Sequence, residues 1–381
     1  MKKILFRKLL YDCLIFFFTT LFSLSLIIWV FQAVNFLDLM VEDGRDYLVY
    51  AKYSLLNFPK IVSKIIPFSI FFSFLYVISK YELNNELLIL WNFGINKIQL
   101  IHFFLIFSIL LALLQVLITS IVVPKSQSLG RSIIKNSSIN IFENFIKPMK
   151  FNDTVKGLTI YSDKKSKDGK LENIYLKKNT GDDNFQITYA KKGVFENRNN
   201  NQVLVLFDGE TISAVNKRIT NFSFSVTDFG LNNLKTNTTT DIKTQENSTN
   251  ELFKCVNILS KPKSKTNEEQ RLFLNNCKLE NLENIFKELY KRLFIPLYIP
   301  VFVLASLLIL LKSKENINFS KFRILIFIIG FLLIIFSETT IRFINNILEK
   351  NIVVIILPII FLTFLYLIFW FQFKFKFRTL K

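Results

Sequence analysis

Long apolar segments without charged side chains are the feature that most constrains this 381-residue chain. Four of them contain no Asp, Glu, Lys or Arg: residues 13–37, 98–124, 293–311 and 351–373. Each is long enough to cross about 30 Å of hydrocarbon as a helix. Two shorter charge-free runs, 65–79 and 324–337, reach that length only if the charged residues beside them lie at the membrane interface. The sequence therefore predicts six membrane-spanning helices.

The composition agrees with a membrane protein and excludes several other classes. Hydrophobic residues make up 51% of the chain, which is more than a soluble domain of this length needs. A soluble enzyme, a secreted disulfide scaffold and a disordered tail are therefore excluded. The net charge of +19 raises the question of nucleic acid. Because no basic stripe is interleaved with aromatic residues outside the predicted spans, we expect membrane lipid, and no nucleic acid, as the anionic partner.

A hydrophilic stretch, residues 125–290, separates the third predicted span from the fourth. The chain is therefore predicted to consist of spans one to three (1–124), an extramembrane domain, and spans four to six (291–381). From about residue 150 to 230, short runs of alternating apolar and polar residues are separated by Gly, Asn and Asp. This pattern predicts seven or so β-strands and a sandwich or jelly roll.

The two ends of this hydrophilic stretch have a different periodicity. Apolar residues recur at helical spacing in 124–145 and again in 279–289, which predicts an amphipathic helix on each side of the strands. Residues 232–250 are almost purely polar and rich in Asn, Thr and Lys. We predict that they form an exposed connection.

The distribution of Lys and Arg over the short connections predicts the orientation. If the N-terminus is cytoplasmic, the short cytoplasmic segments hold fourteen Lys and Arg residues and the short outer segments hold six. Positive charge marks cytoplasmic loops, and long translocated domains do not count. We therefore predict cytoplasmic termini and an external β domain. Counting the membrane-proximal flanks of that domain would raise the outer total to thirteen, so the prediction depends on leaving them out.

Motifs for nucleotide binding and catalysis are absent from the sequence. Without G-x-x-x-x-G-K-[ST], we expect no ATPase in this chain. The single histidine, His102, lies in the third predicted span and can build neither a metal site nor a Ser-His-Asp triad alone, so we expect a packed residue. Cys255 and Cys277 would face an oxidising compartment in the predicted orientation. Their spacing permits a disulfide and does not exclude two free thiols, one of them partly buried.

The connection between the second and third predicted spans, residues 79–97, has the pattern of a short helix. Ser79 and Glu82 fit a capping box, and Gly94 suits the left-handed residue that closes a helix. We therefore predict a cytoplasmic helix from about residue 80 to 93.

This predicted helix has two neighbouring apolar stripes. The first consists of Leu83, Leu87, Leu90 and Trp91, and the second of Glu82, Glu86, Ile89 and Phe93. One stripe can cover the ends of the protein's own spans. The other carries two carboxylates, and it fits either a basic-rimmed groove of a partner protein or the lipid interface.

The chain resembles the lipopolysaccharide-export permeases of the LptF/LptG type, also called YjgP/YjgQ, over nearly its whole length. In that family, the loop after the second span carries a pattern close to S-E-L-x-x-x-R-A-x-G-[IL]-S. Four residues of this chain match it: Glu86, Leu87, Gly94 and Ile95. Among the polar positions, Trp91 replaces Arg, and Asn85 and Asn96 replace Ser. The polar contacts of those three positions are therefore not carried over.

Shorter similarities occur elsewhere in the chain. Ala190-x-x-Gly193 and Leu206-x-x-Gly209 resemble the family's strand-turn pattern, and Arg292-Leu293-x-x-Pro296-Leu297 is similar to its fourth span. Two further segments, Trp29-x-x-Gln32 and Phe36-Leu37-Asp38-Leu39, look more like LptF than LptG.

The resemblance implies an α-helical polytopic membrane protein with six transmembrane helices and a periplasmic all-β, jelly-roll-like domain between helices three and four. It implies a non-catalytic permease subunit of the bacterial inner membrane that binds no cofactor itself. Its implied partners are a sister permease of the LptG type, an LptB-type ATPase dimer that uses ATP, periplasmic jelly-roll proteins of the LptC and LptA types, and lipopolysaccharide. The implied coupling residues are Glu86, Leu87, Ile89, Phe93 and Gly94, with Glu86 as the coupling carboxylate.

Lipopolysaccharide has acyl chains and phosphorylated sugars, so its cavity should be apolar within the bilayer and basic at the outer rim. Candidate rim residues are Lys60, Lys64, Arg45, Lys52 and Arg342. Lys64 and Arg342 are preferred because they lie closest to the bilayer, where an unpaired charge is costly. Snorkelling to the interface is the alternative for each cation, and Glu338 is an alternative partner for Arg342.

Two other classes are alternatives to an export permease. A membrane-anchored β-domain scaffold or binding protein without transport activity would not need an amphipathic cytoplasmic helix. An ion-coupled secondary transporter would need ionisable residues near the middle of its spans and internal inverted repeats. The uninterrupted charge-free runs argue against the second class.

Overall fold

The computed structural model describes residues 2–37, 47–137, 146–155, 157–166, 169–179, 184–198, 201–215, 218–230, 243–260, 277–346 and 348–375. They form two compact units. The transmembrane unit comprises Met1–Val30, Asn57–Ser128 and Ile242–Lys381, and the β unit comprises Phe31–Leu56 and Leu129–Asp241. Each unit is described separately below.

The described α-helices are α1 (Lys2–Asn35), α2 (Tyr47–Leu83), α3 (Glu86–Asn92), α4 (Lys97–Leu117), α5 (Val123–Ser137), α6 (Thr249–Ser260), α7 (Leu282–Leu293), α8 (Ile299–Leu307), α9 (Phe319–Thr339) and α10 (Leu348–Trp370). A π-helical turn, Ile118–Val122, joins α4 to α5, and 3-10 turns extend α7 and α8 into one rod from Leu279 to Leu311. Six helical segments among the described residues are long and apolar enough to span a membrane.

The six predicted spans are therefore confirmed, including the two with short charge-free runs. The second span is the whole of α2, and the fifth runs from Phe319 to Phe343. Both extend well beyond their charge-free centres, because Lys60, Lys64, Arg323 and Glu338 continue the same helices. The predicted helices at 124–145 and 279–289 correspond to α5 and α7, and residues 138–145 lie outside the described part.

The fourth span is the central element of the transmembrane unit. Every residue of α8 is buried. The most apolar stretch of this span is 78% buried and that of the second span 72%, whereas the other four spans reach only 11–22%. The second and fourth spans thus form the protein core, and the other four keep broad apolar faces for lipid.

A close helix contact joins the second and fifth spans. Gly330 of α9 lies so near the buried ring of Phe71 that a Cβ atom there would come 2.0 Å from the Phe71 Cζ atom. Small residues at helix interfaces permit this approach in membrane proteins. The lack of a side chain at Gly330 therefore sets the distance between α2 and α9.

A buried arginine organises one end of the transmembrane unit. The guanidinium of Arg292 in α7 donates to the Glu288 carboxylate at 3.0 Å, to the carbonyl oxygens of Gln245 at 2.9 Å and Asn247 at 3.0 Å, and to the Thr249 hydroxyl at 3.1 Å. We call this set the Arg292 junction. It joins the fourth span to the segment that returns from the β unit.

The third span enters the same junction through its π-helical turn. The Thr119 hydroxyl donates to the Arg292 carbonyl oxygen at 2.8 Å, and the Thr249 hydroxyl donates to the Ser120 carbonyl oxygen at 2.7 Å. A π-turn leaves backbone carbonyls free of the regular helical ladder. Here the Thr119 hydroxyl and the Ser120 carbonyl oxygen, both in the π-turn, link α4 and α5 to α7 and α6.

A disulfide lies beside this junction. Cys255 of α6 is bonded to Cys277, which precedes α7. Around it, Leu252, Ile285 and Leu289 form a small buried cluster. The predicted exposed connection over 232–250 is wrong for its last part, because Glu246 and Asn247 are buried against the Arg292 junction. Residues 231–242 lie outside the described part.

The β unit contains one antiparallel sheet among the described residues. Its strands are β1 (Asn152–Val155), β2 (Leu158–Lys165), β3 (Leu171–Asn179), β4 (Phe185–Arg198), β5 (Asn201–Val215) and β6 (Arg218–Gly230). Each strand pairs with the next one in the chain, from β1 to β6. An all-β domain between the third and fourth spans is thus confirmed.

The order of the described strands differs from that of a jelly roll. Six strands are described, close to the seven or so predicted, and they form a simple meander without the crossovers of a jelly roll. Alternation predicts strands but not which ones pair, because pairing depends on turns and twist. Three long strands, β4 to β6, replace the shorter ones that Gly and Asn signals suggested.

Two glycines explain part of this difference. Gly193 and Gly209 lie inside β4 and β5 rather than in turns. A Cβ atom on Gly209 would come 2.2 Å from the Tyr189 carbonyl oxygen, and one on Gly193 would come 2.3 Å from Ile174 Cδ1. These glycines serve close packing within the sheet, and so the strands continue through them.

We expect the Arg292 junction to dominate the stability of this end of the unit. Arg292→Met should lower the free energy of unfolding by about 3 kcal/mol, because Glu288 and two carbonyls lose their donor in a buried site. Lys291→Met is the matched control, since the Lys291 side chain is 34% exposed and that of Arg292 only 2%. The control should change stability by less than about 1 kcal/mol. Equal losses in thermal unfolding in detergent would contradict this assignment.

Candidate functional site

The short helix α3 lies between the second and third spans. The predicted helix over 80–93 is wrong at its start, because Ser79 and Glu82 belong to the last turns of α2. The chain turns at Asn84 and Asn85, and α3 begins at Glu86. Asn85 takes a left-handed conformation with φ of 62°, which asparagine tolerates better than most residues. At the other end Gly94 has φ of 70° and closes the helix as predicted.

One face of α3 is sealed against the transmembrane unit. Leu87 and Leu90 are buried, and Ile95 after the helix is buried with them in the same core. The ammonium of Lys97 donates to the Leu310 carbonyl oxygen at 2.9 Å and lies 5.7 Å from the Trp91 ring centre. These contacts attach α3 to the end of the fourth span.

A second attachment joins the α2 end of this region to the connection between the fourth and fifth spans. The Lys314 backbone N–H donates to the Glu82 carboxylate at 3.1 Å, and the Lys314 ammonium donates to the Leu83 carbonyl oxygen at 3.3 Å. Glu82 is therefore a structural residue. Its predicted place beside Glu86 on a docking stripe is wrong.

The opposite face of α3 is bare. Leu88, Ile89 and Phe93 are 51%, 48% and 44% exposed, and Asn92 between them is exposed as well. We call these four residues the bare face of α3. Glu86 lies at its edge and accepts a hydrogen bond from the Asn84 side chain at 3.1 Å.

This arrangement partly agrees with the two predicted stripes. Leu87 and Leu90 are on the sealed side, and Ile89 and Phe93 are on the bare side, as the helical period indicates. Leu88 also belongs to the bare face, whereas Leu83 is exposed on α2 rather than packed. The break at Asn84 and Asn85 changes the phase of the pattern, and periodicity alone contains no signal for it.

A hydrogen bond that was not predicted from the sequence joins α1 to the end of α2 near α3. The Tyr81 hydroxyl in α2 donates to the carboxylate of Asp12, the single acidic residue of α1. The position of Asp12 directly before the charge-free run 13–37 could have indicated this contact, since a carboxylate beside a membrane span requires a partner.

The other predicted site residues lie away from α3. Lys60 and Lys64 lie one turn apart on α2, about twenty residues before its end, and the charges of Lys64, Lys243 and Lys291 all act on Lys60. We call these four residues the lysine cluster. Lys60 is half-buried, and its ammonium donates to the Gln245 side chain at 3.5 Å, whereas Lys64 is exposed. Sequence reasoning missed Lys243 and Lys291 as members because they are distant in the chain.

No described contact joins Arg342 or Lys52, which were also predicted as rim cations, to this cluster. Arg342 is exposed in the 3-10 turn that ends the fifth span, and no ion pair joins it to Glu338 among the described residues. Lys52 is exposed on the part of α2 that belongs to the β unit. Arg45 lies outside the described residues.

His102 has a structural contact. Its Nε2 atom is hydrogen-bonded to the Tyr366 hydroxyl at 2.7 Å, and the two rings stack. This contact joins the third span to the sixth. Within the described part of the chain, no group of three His, Cys, Asp or Glu side chains could hold a metal ion.

Comparison with known proteins gives two results. The sequence profile of the lipopolysaccharide export system permease LptF/LptG matches residues 7–372. An uncharacterized protein of Rickettsia prowazekii (strain Madrid E) is 26% identical over 188 residues, which is 49% of this chain and 52% of that protein. The match thus spans about half the length of this curated relative. Because the profile covers nearly the whole chain, this protein belongs to the lipopolysaccharide export system permease LptF/LptG family.

Proposed function

We propose that this chain is the transmembrane permease subunit of an ATP-driven exporter that extracts lipopolysaccharide from the inner membrane. The observation that carries the proposal is α3, which lies between two spans with one face sealed and the other bare. A helix whose apolar face has no cover in the described part of its own chain suits docking into a groove of a partner. A β-domain scaffold with purely anchoring spans would have no need of it.

The proposed partner at α3 is a cytoplasmic ATPase dimer of the LptB type, which supplies the ATP hydrolysis. The sealed face and the Lys97 contact attach α3 to the end of the fourth span, and Lys314 attaches the preceding end of α2 to the connection between the fourth and fifth spans. A displacement of α3 would therefore move the core of the transmembrane unit, because packed interiors transmit strain. Glu86, at the edge of the bare face, is the proposed coupling carboxylate, and Gly94 permits the tight exit from the helix.

The proposed substrate contact at the other end of α2 is the lysine cluster. Glu288 is the carboxylate whose charge acts on Lys60, and it is already bound to Arg292 at 3.0 Å and lies 3.9 Å from the Lys291 ammonium. An excess of positive charge at the end of a span suits the phosphates of lipopolysaccharide. Lys64 is the better candidate because it is exposed, and Lys60 is partly occupied by Gln245. Arg342 and Lys52 remain candidates on their exposure alone.

The proposed orientation places the termini and α3 in the cytoplasm and the β unit in the periplasm. The positive charge of the short connections supports it. The Cys255–Cys277 disulfide supports it as well, because disulfides persist outside the reducing cytoplasm. In the periplasm, β6 has a neighbour on one side only among the described strands, so its free edge suits a β partner of the LptC or LptA type. A sister permease, which we take to be LptG-type, completes the assembly.

Substitutions on the bare face of α3 should release the ATPase. Ile89→Asp and Phe93→Asp should each reduce copurification of the ATPase at least about tenfold, since burying one such side chain contributes roughly 1.5–3 kcal/mol. Glu86→Lys should have the same effect through charge reversal. Ile317→Asp is the matched control, because Ile317 is fully exposed in the connection between the fourth and fifth spans. Undiminished copurification with all three α3 variants would refute this docking site.

Thiol labelling should report the orientation directly. Cys13 is buried and Cys255 and Cys277 are bonded, so an introduced cysteine is the main reactive site. With a membrane-impermeant maleimide on intact spheroplasts, Ile219→Cys in β6 should react, and Ile317→Cys should react only after permeabilisation. The reverse pattern would place α3 outside the cytoplasm and remove the basis of the proposal.

Neutralising the lysine cluster should impair substrate transfer without affecting ATPase binding. In vesicles, the double variant Lys60→Gln and Lys64→Gln should lower ATP-dependent release of labelled lipopolysaccharide to a soluble acceptor by about tenfold, since charged hydrogen bonds contribute roughly 1.5–3 kcal/mol. Lys254→Gln is the control, because Lys254 is an exposed cation of α6 outside the cluster. Equal release by the double variant and the control would exclude the cluster as a phosphate site.

A further inference from the structure

An apolar groove runs between the second and fifth spans. It has a volume of about 330 Å³, and its wall consists of Phe72, Leu75, Tyr76, Ile324 and Phe327. This volume lies at the lower end of the range for ligand sites in proteins. The contact between Gly330 and Phe71 holds α2 and α9 together beside the groove. The packing of α2 against α9 therefore forms the groove.

One end of the groove is polar and positively charged. Arg323 and Ser79 line it, and the Arg323 guanidinium donates to the Ser79 hydroxyl at 3.5 Å. Arg323 is half-buried, and no carboxylate lies within ion-pair distance of it among the described residues. Glu82, an acidic side chain at the same end of α2, is bound to the Lys314 backbone. A guanidinium beside an apolar surface, with no counter-ion among the described residues, is suited to bind an anion from outside the chain.

The position of this end along α2 limits which anion it receives. Ser79 is nineteen residues beyond Lys60 on the same helix, which corresponds to about 28 Å along the axis. The charged end of the groove and the lysine cluster therefore lie on opposite sides of the bilayer. In the proposed orientation the groove's charged end is at the cytoplasmic leaflet, away from the proposed phosphate site for the exported lipid.

We propose that the groove between α2 and α9 binds an anionic phospholipid of the cytoplasmic leaflet, with the headgroup phosphate on Arg323 and Ser79 and an acyl chain along the aromatic wall. An arginine fork matches the geometry of a phosphate, and the Ser79 hydroxyl supplies a further donor. The assignment of the leaflet depends on the proposed function, whereas the lipid site itself depends only on the groove and on the Arg323 guanidinium, which has no carboxylate partner in the described part of the chain. A resident lipid at this position would fill the space between two spans next to the base of α3.

Native mass spectrometry of the full chain, purified in detergent and titrated with phosphatidylglycerol, tests the site. Arg323→Gln should weaken phosphatidylglycerol binding by about tenfold. Lys321→Gln is the matched control, because Lys321 is an exposed cation two residues away that does not line the groove. Phosphatidylcholine, which has no net charge, should bind wild-type protein about tenfold more weakly than phosphatidylglycerol.

A second pair of variants tests the apolar part of the groove. Ile324→Trp should fill the groove and reduce lipid binding, whereas Leu325→Trp should leave it unchanged, since Leu325 is equally exposed but does not line the groove. Three results would overturn the proposal: equal losses for Arg323→Gln and Lys321→Gln, equal binding of the two phospholipids, or tighter binding of lipid A than of phosphatidylglycerol. Binding that appears only when a copurifying sister permease is removed would also overturn it, because the groove would then be a protein interface.

The outcome is separable from the proposed function. If the orientation is wrong, Ile317→Cys will react with the impermeant maleimide while Arg323→Gln still weakens phospholipid binding. If the lipid site is wrong, Arg323→Gln will leave phosphatidylglycerol binding unchanged. The α3 variants and the lysine-cluster variant will then still have their expected effects on ATPase copurification and lipopolysaccharide release.

Discussion

Burial of the fourth span is the constraint on which the transmembrane unit depends. Every side chain of α8 is enclosed by protein, although α8 is as apolar as the spans that face lipid. Within a bilayer, moving an apolar side chain from lipid into the protein gives no hydrophobic gain. Helix contacts therefore depend on packing and on small or polar residues. The contact of Gly330 with Phe71 and the Arg292 junction provide these two kinds of interaction. The Gly330–Phe71 contact lies within the charge-free runs 324–337 and 65–79, whereas Arg292 immediately precedes the run 293–311.

The two ends of this core have different chemistry. At one end, α3 is attached through Leu87, Leu90 and the Lys97 contact with Leu310, and its other face carries Leu88, Ile89 and Phe93 without cover. At the opposite end, the Arg292 junction and the disulfide hold α6 on α7, next to the lysine cluster. An exposed apolar face at one end and a basic surface at the other support the proposed role in mechanically driven lipid export. Membership of the LptF/LptG family agrees with this arrangement.

Local sequence patterns predicted those parts of the protein that depend on neighbouring residues. Charge-free length predicted the six spans, alternation predicted the β domain between spans three and four, and Gly94 predicted the end of α3. The same reasoning failed where distant residues decide. Glu82 was assigned to a docking stripe but binds Lys314, more than two hundred residues away. Gly193 and Gly209 resembled turn residues, yet they lie inside strands because Ile174 and Tyr189 pack against them.

By itself, the sequence determined that this chain spans a membrane six times and carries an all-β domain, because hydrocarbon excludes charge and leaves the helix as the way to satisfy the backbone. It also determined that one helix between two spans is amphipathic. Only the tertiary structure decided which face of α3 is exposed and that Lys243 and Lys291 join Lys60 and Lys64. It also decided that Arg292 has four acceptors, whereas Arg323 has no carboxylate partner among the residues that the structure describes. These features arise from contacts between segments that are far apart in the chain, and the periodicity of a single segment does not predict them.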